Sequence, residues 1–131
     1  MEKTKKYTWR TRKDLRFSFL NAFRGIAHIV NHHYNARLIF LFAILAVILG
    51  FFLKVTNVEM FVLGVTIMLV FITEVINTLI EDTINLFSEE FHPKIKIIKD
   101  VAAGVVLAAV GFSLVVGYFI FGTRICRLLN N

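Results

Sequence analysis

Glu74, Asn77, Glu81 and Asn85 share one face of an otherwise apolar stretch. At about 100° per residue their directions fall near 0°, 300°, 340° and 20°. A charged side chain at membrane depth costs at least about 2.5 to 3.5 kcal/mol, so acids there are functional candidates by default. Two acids at positions 74 and 81 of one helix stand roughly 10 Å apart, too far to share a proton and far enough to take separate roles. One is suited to act as a general base. The other is suited to hold a hard divalent cation, which binds carboxylate oxygens and keeps positions open for phosphates. Asn77 between them can orient a carboxylate or a ligand oxygen without adding charge, and Thr78 and Ser88 extend the polar stripe. The same residues also suit polar glue between helices, or a proton or ion path. Further on, Lys99 and Asp100 form a pair of a kind usually solvated at a membrane boundary. Near the stripe, such a pair can receive a phosphate.

The elements that must position these groups are apolar. The chain has 131 residues, 57% of them hydrophobic, and a mean hydropathy of +0.72, which fits a single membrane domain rather than a soluble one. Uncharged runs from Leu38 to Leu53 and from Val101 to Gly122 flank a second run from about Val58 to Phe87, which is free of charge between Met60 and Thr73. Each approaches the roughly 20 residues that cross a hydrocarbon core of about 30 Å. Upstream, Leu15, Phe19, Phe23, Ile26 and Val30 recur at helical spacing with Arg16 and Arg24 off that face. This predicts an amphipathic helix lying along the membrane surface. The fold class is therefore an all-α membrane protein with an N-terminal surface helix and three transmembrane helices.

Residues 1–11 are basic and polar and read as a mobile tail, 12–125 as the membrane domain, and 126–131 as a short C-terminal tail. His32 to Asn35 form a polar hinge before the first span, Thr56 and Asn57 a turn and N-cap before the second, and Pro93 the first residue of a new helix. Gly104 and Gly111, among several alanines, favour close helix contact. Fifteen basic residues stand against nine acidic ones. Most of the basic residues precede the first span or lie between the second and third, which puts the N-terminus in the cytoplasm and argues for anionic-lipid contact rather than nucleic acid. A long charged stretch before the first span argues against a cleaved signal peptide. Cys126 is the one cysteine, so no internal disulfide forms. His28, His32, His33 and His92 make no metal-binding pattern of their own.

The segment Glu74-Val-Ile-Asn77-Thr-Leu-Ile-Glu81, followed by Glu90-Phe91-His92-Pro93 and by Lys99-Asp100-Val101-Ala102-Ala103-Gly104, resembles the prokaryotic diacylglycerol kinase family, which includes the undecaprenol kinases. The likeness runs from about Phe17 to Gly122. It implies a homotrimer with active sites between neighbouring protomers, and ATP- and Mg²⁺-dependent phosphorylation of a lipid hydroxyl. Carried over by position, Glu74 is the catalytic base and Asn77 its orienting residue. Glu81 is a metal ligand, and Lys99 and Asp100 are nucleotide contacts. Counting from Gly25, the family carries a second metal-binding glutamate where this chain has His33, while Arg37 matches the arginine four residues later. The family's aspartate after Glu81 is here Asn85. These departures remove two negative charges from the cation region, and imidazole suits Mn²⁺ or Zn²⁺ better than Mg²⁺.

The reading is a bacterial inner-membrane lipid kinase acting on undecaprenol or diacylglycerol, with Glu81 and His33 holding the metal and Lys99 engaging the phosphates. One alternative is a catalytically impaired member of the family that serves as a membrane scaffold or lipid-binding protein. An ion conductor built on the stripe is the other.

Overall fold

The computed structural model describes residues 15–87 and 92–129; the basic tail and the centre of the second connection lie outside the described residues. The chain forms α1 (Leu15–His32), α2 (Tyr34–Phe52), α3 (Asn57–Phe87), α4 (Pro93–Gly117), a wide helical turn (Tyr118–Gly122) and α5 (Thr123–Leu129). Three helical stretches are long and apolar enough to cross a membrane: Tyr34–Phe52, Asn57–Phe87 and Pro93–Cys126.

The expected hinge at residues 32 to 35 contracts to one residue. Only His33 leaves helical geometry, at φ −106° and ψ 120°. Its N–H still donates to the Ile29 carbonyl at 2.9 Å, and its carbonyl accepts from the Arg37 N–H at 3.2 Å. Both backbone groups are satisfied, so the helix needs only this one break to change direction.

α2 ends in a tight reversal in which Lys54 adopts the left-handed region, φ 51°, and the Val55 N–H donates to the Gly50 carbonyl at 3.1 Å. This is the usual means of closing a helix C-terminus. Gly50 is buried there, where an added Cβ would come within 2.9 Å of Met60 Cε. α3 then opens on a reciprocal cap. The Thr56 N–H donates to Glu59 Oε2 at 2.7 Å, and the Glu59 N–H donates to Thr56 Oγ1 at 3.3 Å, satisfying two otherwise orphaned donors. From the start of α5, Arg124 reaches back to the same Glu59 carboxylate. A cap, an ion pair and a left-handed turn thus bind the end of the molecule remote from the acidic stripe.

α4 begins at Pro93 as expected, and His92 caps it by accepting from the Lys94 N–H at 3.2 Å. α3 packs most extensively on α4 and next on α2. Leu63, Val70, Ala102 and Ala109 are buried between these helices, while Phe40, Phe61, Leu107 and Phe112 face outward. Apolar side chains face outward where the solvent is hydrocarbon. The close contact expected of the small residues on α4 occurs at the buried Ala102 and Ala109. Gly104 and Gly111 face open space, with nothing within 4 Å of an added Cβ.

Candidate functional site

α3 is 31 residues long, about 46 Å at 1.5 Å per residue, and outruns a hydrocarbon core of about 30 Å. Counted from Asn57, the first 20 residues end near Ile76. The stripe therefore emerges at one surface, with Glu74 just inside and Glu81 and Asn85 beyond.

Glu74 is 4% exposed, Asn77 7% and Thr78 3%. A buried carboxylate requires partners, and here they come from the α1–α2 junction. The side-chain amide of Asn35 lies near enough to the Glu74 carboxylate to act on it, and His33 and Glu81 lie within electrostatic reach. Asn77 Nδ2 donates to Glu81 Oε1 at 3.2 Å, fixing one carboxylate oxygen of Glu81. That bond leaves Asn77 Oδ1 buried with no hydrogen-bond partner among the described residues. An orphaned acceptor beside two carboxylates is costly in a closed core and suited to a ligand that brings donors or positive charge.

His33 Nε2 lies 3.4 Å from Asp82 Oδ2, with both side chains partly open to solvent. At the end of α3, Lys99 Nζ donates to Asn85 Oδ1 at 2.8 Å. Asp100 is exposed.

Of the residues singled out in the sequence, His33, Glu74, Asn77 and Glu81 are thus brought together. Lys99 stands apart, one helical turn beyond Glu81 and about 16 Å along α3 from Glu74. Two members of the cluster carried a weaker signal. Asn35 reads as hinge, yet its place in the first turn of α2 aims it at α3. Asp82 points about 100° away from Glu81 and so lies off the stripe, where only the position of His33 gives it a partner.

Among the described residues no three His, Cys, Asp or Glu side chains converge on a point that would hold a metal ion. Magnesium shared with phosphates needs only one or two protein carboxylates. Glu81 and the free Asn77 oxygen are oxygen donors of the kind that ion takes. The donor set therefore fits a cation held jointly with a nucleotide, and does not make a closed all-protein cage.

Three long apolar helices around a buried, partnered carboxylate define a small multi-pass membrane protein. The chain belongs to the prokaryotic diacylglycerol kinase family, whose model matches residues 20–121. Among its relatives, an undecaprenol kinase of Bacillus subtilis is 33% identical over 104 residues, covering 79% of this chain and 85% of the relative. A diacylglycerol kinase of a Synechocystis species is 30% identical over 114 residues, covering 86% of this chain and 65% of the relative. The family and these relatives identify a membrane lipid kinase.

Proposed function

We propose that the protein is a catalytically competent kinase that transfers the γ-phosphate of ATP to the hydroxyl of undecaprenol or diacylglycerol, in a bacterial cytoplasmic membrane with its N-terminus inside. The observation that carries this reading is the buried Glu74. Asn35 lies near it, and it stands one turn from Asn77, whose Oδ1 has no partner among the described residues, and on the same face as Glu81.

In this mechanism Glu74 accepts the proton of the lipid hydroxyl as that oxygen attacks phosphorus. Asn35 and Asn77 keep the two carboxylates apart and aimed. Glu81 holds the divalent cation together with the phosphates, and Lys99 leaves Asn85 to meet phosphate oxygens, with Asp100 on the nucleotide side. ATP, when bound, supplies the phosphoryl group, and its magnesium neutralises the charge. What remains for the protein is positioning and electrostatic stabilisation, which dominate phosphoryl transfer. Because Lys99 lies about 16 Å along α3 from Glu74, a neighbouring copy in a homotrimer is the natural source of further contacts between them. α1 would rest along the membrane surface, with Phe19, Phe23 and Ile26 in the lipid.

The impaired-member reading rests on His33 and Asn85. Against it, Asp82 beside His33 returns a carboxylate to the region, and Asn85 has a definite partner in Lys99. ATP-dependent phosphorylation in mixed micelles tests the proposal, with undecaprenol and diacylglycerol offered separately and Mg²⁺, Mn²⁺ or Zn²⁺ supplied in turn. Turnover of either lipid is expected. Silence with both lipids and all three metals, from folded protein, would favour the scaffold.

A further inference from the structure

The last turn of α1 carries a second arrangement of side chains, which the kinase reading does not use. His28 and His32 stand four residues apart on one helix, both exposed, with their rings stacked at a centroid distance of 4.0 Å and an interplanar angle of 25°. His32 Nδ1 lies 2.9 Å from the His28 carbonyl oxygen. A carbonyl only accepts, so Nδ1 carries the proton. The lone pair of the neutral ring is therefore on Nε2 and free. Histidines four residues apart on one helical face can share a zinc ion, a pairing that the sequence alone did not single out and the side-chain placement brings out. A backbone carbonyl holding the far nitrogen is the usual means of fixing the tautomer and orientation of such a ligand.

Helix geometry gives the pair its access. At about 100° per residue, His28 and His32 point roughly opposite to Phe19, Ile26 and Val30, so they face water when that side meets lipid. A tetrahedral ion with metal–nitrogen bonds of about 2.0 Å needs its two nitrogens roughly 3.3 Å apart. In the structure the rings lie nearly parallel, at 4.0 Å and 25°, so their in-plane lone pairs do not yet converge; the exposed His28 ring must turn out of the stack about its side-chain bonds to bring its nitrogen to that distance from His32 Nε2, with no change in the helix.

We propose that His28 and His32 form a two-histidine site for a borderline divalent cation such as Zn²⁺ or Cu²⁺, with water or an exogenous ligand completing the coordination. The site is separate from the Glu74 and Glu81 cluster and takes a different class of ion, since imidazole pairs select zinc and copper over magnesium. It closes the turn that leads into His33, so a bound ion stiffens the join between α1 and α2.

The test is Zn²⁺ affinity of the full chain in detergent micelles, read by competition with a chromogenic chelator in a Cys126→Ser background that removes the exposed thiol. His28→Gln and His32→Gln should each weaken binding at least tenfold, and the double variant should add little, because either change alone breaks the chelate. His92→Gln, at the start of α4 and away from both metal regions, should leave the affinity unchanged. The proposal is overturned if the parent takes up no zinc, if either single variant binds within twofold of it, or if loss follows His92→Gln instead. Cu²⁺ electron paramagnetic resonance on the unmutated chain gives a readout independent of variant folding. Coupling to two imidazole nitrogens supports the site, and coupling to none or one overturns it.

Discussion

Replacing His33 by glutamate supplies the carboxylate that the family resemblance implies for this position, and the structure sets its cost. His33 Nε2 and Asp82 Oδ2 are 3.4 Å apart, so a glutamate side chain in the same place would set two negative charges face to face. Two unit charges at that separation repel by about 1 kcal/mol in bulk water and by several times that in a protein-like dielectric. Both groups are partly solvated, which places the penalty near the aqueous end, about 1 to 2 kcal/mol. Without divalent cation, the His33→Glu protein should therefore be less stable than the parent by about that amount, measured by denaturant titration in mixed micelles with far-ultraviolet circular dichroism. Millimolar Mg²⁺ should recover the loss, and should raise Mg²⁺-supported turnover above the parent's. Adding Asp82→Asn should abolish the metal-free penalty. A His33→Glu protein as stable as the parent without metal, or one indifferent to Mg²⁺, would refute the reasoning that His33, Asp82 and the cation share one electrostatic neighbourhood.

Three further outcomes are expected. On the proposed role of Glu81 as metal ligand, Glu81→Ala should raise the Mg²⁺ concentration for half-maximal activity at least tenfold; an unchanged metal titration would take Glu81 out of the site. On the proposed role of Lys99 at the phosphates, Lys99→Met removes a charge-assisted contact worth about 1.5 to 3 kcal/mol, which should raise the KM for ATP by roughly 10- to 100-fold with little effect on the lipid KM, as initial-rate kinetics would record. Arg124→Met removes the partner of Glu59 at the far end of the molecule, where the pair is only partly solvated. It should lower stability measurably, and no loss on denaturant titration would mean that the pair holds nothing.

The three spans were legible because uninterrupted apolar runs of near membrane length leave few alternatives, and Pro93 marked a helix start in the way proline usually does. The hinge was visible in its polarity but not in its width. Breaking the helix at His33 alone, with both backbone groups bonded, depends on how α1 and α2 meet rather than on local composition. The periodicity of α3 put Glu74, Asn77 and Glu81 on one face. The partners of that face come from another helix, so Asn35 and Asp82 appear only when α2 is laid against α3. Arg124 shows the same limit. Its contact with Glu59 spans 65 residues of sequence, and nothing in either segment announces the other. Gly104 and Gly111 suggested close packing that the single chain does not use, since helix spacing alone does not say which neighbour a small residue serves.

The central claim is that Glu74 is the base. Glutamine matches its shape and keeps a side-chain oxygen in the same place, but it cannot take the lipid proton. The decisive measurement is transfer of labelled γ-phosphate from ATP to undecaprenol and diacylglycerol by the native and Glu74→Gln proteins side by side, with folding verified by circular dichroism. Loss of a general base lowers kcat by about 10² to 10⁴, and that fall, with little change in either KM, is the predicted result. A Glu74→Gln protein that phosphorylates lipid at the native rate would contradict the account.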